Sequence, residues 1–125
     1  GLKEYFIQLP GTNDMPAAIR GVDLVVMPSR WEACPLLPME VLSSGVPIIG
    51  TDCVGLREVL ADTPAKVVPV GNAEALAQAI DAQLQEGKAE FNEFQPAAIK
   101  RFSAVGHAQE LYDLYCEVAG AAVHV

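Results

Sequence analysis

Val22-Asp23-Leu24-Val25-Val26-Met27-Pro28-Ser29, residues 22–29, is the stretch that decides the fold. It is apolar at nearly every position and lacks polar alternation, so a strand here must be covered on both faces, as in a parallel sheet sandwiched by helices. The run is expected as a central strand, with Asp23 at its start and Pro28 at its end, because proline cannot donate to a ladder. Next along the chain, Pro47-Ile48-Ile49-Gly50 opens a second short buried strand, and the helical pattern between them, over 38–44, stops at Gly45. The order is strand, helix, strand.

The same alternation continues downstream. Residues 56–60 read as one or two helical turns, and residues 66–70 as a strand stopped by Gly71. Asn72 is a good N-cap for a helix over 73–85, in which Leu76, Ile80 and Leu84 recur every fourth residue among alanines. Beyond Gly87 the pattern through Phe91, Phe94 and Phe102 is weaker and Pro96 interrupts it. Ser103 then caps a last helix expected to pack by Leu111, Leu114, Tyr115 and Val118. Upstream, Tyr5-Phe6-Ile7-Gln8-Leu9 reads as a strand stopped by Pro10-Gly11, followed by a short helix over 14–20. The expected class is α/β, one domain over 1–125, with an open parallel sheet and helices on both faces. Ligands of such sheets bind beyond the carboxyl ends of the strands.

Composition bounds the partners. The chain has 125 residues, 51% hydrophobic and 19% charged, an ordinary globular profile. Sixteen acidic against eight basic residues give a net charge of −8, which repels nucleic acid and anionic lipid but leaves room for a small anion held by local backbone donors. The cysteines, Cys34, Cys53 and Cys116, are odd in number and show no CxxC pairing, so a reducing cytoplasm is the expected setting. No run approaches the roughly 18 apolar residues of a membrane span. The chain opens at Gly1 without an initiator methionine, which reads as an excised fragment.

Chemistry concentrates in Pro28-Ser29-Arg30-Trp31-Glu32-Ala33-Cys34-Pro35-Leu36-Leu37-Pro38-Met39-Glu40, which leaves a strand by its carboxyl end and enters a helix. Pro35 and Pro38 have no N–H, so the loop's donors are the amides of Ala33, Cys34, Leu36 and Leu37. Those of Leu36 and Leu37 sit where a helix's unpaired amides and dipole favour a phosphate. Glu32 before the turn and Glu40 within the helix can flank that phosphate, each carboxylate accepting from a vicinal diol. Sugar plus phosphate is the implied ligand.

This segment resembles the Glu-x7-Glu motif of glycosyltransferase family 4, retaining enzymes with two Rossmann-like domains in the GT-B arrangement. The resemblance also takes in residues 21–29, Ser44-Gly45-Val46-Pro47-Ile48-Ile49, Thr51-Asp52, Gly55-Leu56-Arg57-Glu58-Val59, Val70-Gly71-Asn72, Phe102-Ser103 and Leu114-Tyr115, and so covers nearly the whole chain. It implies a donor-binding part of the C-terminal domain that uses a nucleoside-diphosphate sugar and needs no metal or other cofactor. Glu32 would be catalytic, by positioning the donor and stabilising charge. Glu40 would hold the ribose, the amides of Leu36 and Leu37 the diphosphate, and Cys34 and Pro35 would border the sugar.

The resemblance further implies an acceptor, whether saccharide, lipid or small molecule, bound by an N-terminal domain absent here, and a cytoplasmic enzyme peripheral to the membrane. The fragment alone is expected to be inactive, since the family's basic pair for the diphosphate lies upstream. Ala33-Cys34 in place of Gly-Phe, Pro35 in place of a glycine, and Val54 beside Gly55 depart from the family pattern and leave the sugar open.

Duller readings apply to several residues. Arg30 is expected as a solvated surface residue, Trp31 as a packing residue, and Cys34 as a small loop filler with no histidine near it in sequence. Cys53 and Cys116 are expected to pack, Asp52 to cap a turn, and His107 to lie on an exposed helix face, with His124 in a tail. Two other functions fit the architecture less well. A phosphoacceptor signalling receiver needs an acidic pair after its first strand and an aspartate after its third, where this chain has Pro10-Gly11 and Met27-Pro28-Ser29. Another GT-B enzyme, such as a sugar epimerase or phosphorylase, shares less of the local motif.

Overall fold

The computed structural model describes residues 1–120 and is α/β, with a three-stranded parallel sheet flanked by helices. In chain order the elements are α1 (Met15–Arg20), β1 (Val25–Met27), α2 (Leu36–Ser43), β2 (Ile48–Thr51), α3 (Leu56–Leu60), β3 (Lys66–Val68), α4 (Ala73–Glu86), α5 (Ala89–Arg101) and α6 (Ala104–Ala119). The strands lie in the order β1-β2-β3, in register Val25 with Ile48 and Ile49 with Lys66. Among the described strands β2, buried at all four positions, is therefore the middle one, and the 22–29 run that was expected in the middle supplies β1, three half-buried residues paired on one side to β2. An apolar run indicates coverage by helices; it does not specify neighbours on both sides.

The core gathers Val41 and Leu42 of α2, Ile48 of β2, Leu56 and Leu60 of α3, and Phe91 and Ala98 of α5. Close packing of α3 onto β2 requires Gly50, where any Cβ would lie within 3.0 Å of the Leu60 and Leu56 side chains. The helix ends follow the sequence signals. Asp14 accepts from Ala17, Asn72 from Ala75 and Ser103 from Gly106, and Gly45 turns out of α2 at φ 69°.

Five further expectations fail. Residues 5–9 form no strand: a single 3-10 turn spans Lys3–Tyr5 and the rest is irregular and exposed, because a strand exists only by pairing and no described strand pairs with it. α2 begins at Leu36, two residues before the expected start at 38. α5 runs without a break through Pro96, since Phe91 and Ala98 anchor both halves of that helix in the core. On α4 the buried residue is Gln83, its amide satisfied by the Gly87 carbonyl at 2.7 Å, while Leu84 faces solvent. The stripe Leu111, Leu114, Tyr115 and Val118 of α6 is exposed. Cys53 is buried as expected and Cys116 half-buried. His124 lies outside the described residues.

Candidate functional site

Residues 28–35 leave the carboxyl end of β1 and lie on the connection between β2 and α3. The anchors are local. Thr51, buried at the end of β2, donates its hydroxyl to the Ser29 carbonyl, and the Glu32 amide donates to the Val54 carbonyl at 3.3 Å. Gly55 sits beneath this segment at φ 84°, and a Cβ there would lie under 3.0 Å from the carbonyl oxygens of Glu32 and Ala33. Only glycine satisfies both the left-handed backbone and the close approach. The Glu58 carboxylate in turn accepts from the Gly55 amide at 2.6 Å, half of a capping box that holds α3 and the turn together.

Glu32 is half-buried, and its carboxylate accepts from the Ser29 hydroxyl at 2.7 Å. That bond orients one oxygen and leaves the other available. Pro35 is the N-cap of α2 and supplies no side-chain acceptor to the first turn. The amides of Leu36 and Leu37, the first two helical residues, therefore have neither an intrahelical acceptor nor a capping side chain. Leu37 packs its side chain against the core, whereas Leu36 and Glu40, one helical turn apart, share a groove of about 240 Å³ with Met39, Ser43 and Phe102. Cys34 is exposed at the loop's tip and Pro35 half-buried.

A separate cavity of about 180 Å³ lies at the carboxyl ends of all three strands, lined chiefly by Pro28, Arg30, Thr51, Val68, Asn72 and Leu76. None of Glu32, Cys34, Pro35, Leu36, Leu37 or Glu40 lines it. The residues singled out from sequence thus occupy the loop and the first turn of α2, with Leu36 and Glu40 together in one groove and the strand-end cavity apart from them. Sequence reading missed the anchoring roles of Ser29, Thr51 and Gly55, although all three belong to the quoted pattern. A serine three residues before a glutamate on an irregular loop was the available hint.

Trp31 corrects an expectation: it is 70% exposed, so it does not pack. The loop's amide bond to Val54 pins the backbone at Glu32 and leaves the preceding side chain outside. Asp52 does not cap α3 through its side chain; it pairs with the Arg57 guanidinium at the surface, where such pairs contribute little.

With this geometry in view, the comparisons are specific. Residues 1–86, which include the loop, all of the sheet and α4, match the family described as glycosyl transferases group 1. The chain belongs to the group 1 glycosyltransferases. It is 29% identical over 82 residues to the lipopolysaccharide core biosynthesis mannosyltransferase LpsB of Rhizobium meliloti, covering 66% of this chain and 23% of that protein. It is 37% identical over 62 residues to an Escherichia coli UDP-Gal:alpha-D-GlcNAc-diphosphoundecaprenol alpha-1,3-galactosyltransferase, covering 46% and 16%. Likewise it is 31% identical over 110 residues to the alpha-D-kanosaminyltransferase of Streptomyces kanamyceticus, covering 83% and 28%. The chain thus spans between about a sixth and a little over a quarter of these relatives' lengths. Among the described residues no helix is long and apolar enough to cross a membrane.

Proposed function

We propose that the chain is the donor-binding part of a retaining family 4 glycosyltransferase of the GT-B arrangement, which transfers a sugar from a nucleoside diphosphate to a second substrate. The observation that carries this reading is the bare first turn of α2. The amides of Leu36 and Leu37 lack a capping acceptor, Glu40 lies one turn further along the same helix, and Glu32 is fixed just before it. A diphosphate fits the amides, since a helix N-terminus offers both N–H donors and a partial positive charge. The ribose hydroxyls then fall to Glu40, and the transferred sugar to Glu32, bordered by Cys34 and Pro35.

In this arrangement the protein does little covalent chemistry. The α2 amides stabilise charge that grows on the departing diphosphate, and the Glu32 carboxylate faces a sugar that becomes cationic as the bond breaks. Ser29 keeps that carboxylate in place. No metal or other cofactor enters the proposal. The names of the relatives, a mannosyl-, a galactosyl- and a kanosaminyltransferase, support a hexose-type donor without choosing the sugar. The acceptor domain and the basic partners of the diphosphate belong to the remainder of a longer protein, so this chain alone binds donor and does not turn it over.

Titration of the chain with UDP, GDP and ADP, followed by NMR, tests the assignment. The expected result is a saturable shift of the amides over 36–40 by one of the three, with millimolar affinity of roughly −4 kcal/mol. Glu40→Ala should weaken it at least about fivefold, a loss of roughly 1 kcal/mol for a charge-assisted bond. Shifts lying wholly outside 32–40, or an unaltered affinity in Glu40→Ala, would reject the assignment.

A further inference from the structure

We infer that the strand-end cavity is a second, anion-selective compartment that takes the phosphate-bearing group of the other substrate, with Arg30 as its counter-ion. That the occupant belongs to the second substrate, whose other contacts fall to the acceptor domain, rests on the proposed transfer reaction; the anion selectivity stands on the cavity itself. In a chain of net charge −8, Arg30 is the single charged residue lining this cavity. Four other grooves are unlike it: one carries Glu86 and Glu90, another Glu90 and Glu93, a third Glu40, and a fourth holds both Asp23 and Lys88. Acidic residues outnumber basic ones two to one in this chain, so a cavity with a cation and no acid stands apart from these four grooves.

Arg30 is also uncommitted. The ion pairs among the described residues join Arg57 to Asp52 and Lys66 to Glu86, and Arg30 makes neither a salt bridge nor a side-chain hydrogen bond within them. Thr51 donates its hydroxyl to the Ser29 carbonyl, and Asn72 Oδ1 accepts from the Ala75 amide, which leaves Asn72 Nδ2 as a neutral donor on the same wall. The charged contact to an anion falls to the guanidinium, whose planar fork matches two phosphate oxygens. Pro28, Val68, Pro69 and Leu76 supply an apolar wall that lowers the local dielectric and strengthens that attraction.

Size limits the occupant. A volume of about 180 Å³ is well under the roughly 300–1,000 Å³ of pockets that enclose a whole small molecule. It suits one group of a larger substrate. Because the cavity excludes Glu32, Glu40, Leu36 and Leu37, the group it holds is not the nucleotide assigned to α2.

The experiment follows amide shifts of the isotope-labelled chain on addition of inorganic phosphate and of phenyl phosphate, with phenol as the uncharged control. The expected result is a saturable shift at Thr51, Asn72 and Ala73 with both phosphates, tighter for phenyl phosphate because of the apolar wall, and none with phenol. Arg30→Gln, an exposed change that leaves the fold intact, should raise the apparent dissociation constant roughly fivefold or more. The UDP-induced shifts over 36–40 should be the same in that variant. Phosphate shifts confined to 36–40, or an affinity unaltered by Arg30→Gln, would overturn the inference while leaving the donor reading standing. Phosphate shifts at the cavity without any nucleotide effect on 36–40 would do the reverse.

Discussion

Gly55 fixes where the first glutamate of the site stands. Its backbone is left-handed, and the carbonyls of Glu32 and Ala33 occupy the space a side chain would need. Gly55→Ala must pay for both, about 1–2 kcal/mol for the φ alone, and can fit only by lifting the loop that carries Glu32. The expected outcome is an unfolding free energy lowered by roughly 2 kcal/mol or more, read by chemical denaturation, and a shift of the Glu32 amide away from its bond to Val54, read by NMR. Ser29→Ala should act more narrowly. It removes the hydroxyl at 2.7 Å from the Glu32 carboxylate in a half-buried place, so stability should fall by about 0.5–1.5 kcal/mol. If Glu32 has its proposed role in the transition state, the same change in a full-length enzyme should lower kcat more than it alters KM. Equal loss in both would mean that Ser29 acts on donor binding instead. From sequence, Glu32 and Glu40 were singled out as candidates because their spacing straddles a strand-to-helix turn, and that turn is present in the structure. Ser29 left only a weak local hint, its glutamate partner three residues on, and Thr51 left none, because its partner is a carbonyl 22 residues away.

At the level of elements, α5 supports the site from behind. It makes the most extensive helix–helix contact in the molecule, against α2, and its Gln95 donates to the Ser43 carbonyl at the end of α2 at 3.1 Å. Phe91, 2% exposed, is the largest side chain in this packing, so Phe91→Ala should cost about 3–5 kcal/mol and loosen α2 with its Glu40. Thermal unfolding read by circular dichroism checks it; a loss under about 1 kcal/mol would show that the core collapses around the gap. Pro96 should behave oppositely. It is exposed within a continuous helix and removes one backbone hydrogen bond, so Pro96→Ala should stabilise the chain by about 1–3 kcal/mol. The same proline explains why α5 was illegible in the sequence: helix propensity forbids it, and burial of Phe91 and Ala98 overrides propensity. β2, α3 and α4 were legible because a buried run, a capping glutamate and an Asn72 cap are local signals. The place of β1 among the described strands was not, since strand order depends on pairing, which a single strand's composition does not record.

For the whole molecule, charge and exposed apolar surface oppose each other. Tyr5, Phe6, Ile7 and Leu9 in the first segment, and Leu111, Leu114, Tyr115 and Val118 on α6, are exposed together with Trp31. Scattered exposed apolar residues are ordinary, but runs of this kind favour association by the area they remove from water. Against them stands a net charge of −8, which holds copies of the isolated chain apart when the charges are unscreened. Screening decides which wins. At about 0.01 M salt the Debye length is roughly 30 Å, longer than the gap between approaching surfaces, whereas at about 0.15 M it is roughly 8 Å. The isolated chain should therefore sediment as a monomer at low salt and associate increasingly as salt rises, and Ile7→Ser combined with Leu114→Ser should suppress that association without altering the nucleotide shifts over 36–40. Association that weakens with added salt would assign the contact to ion pairs, and an unaltered sedimentation profile in the double variant would place it on other surface.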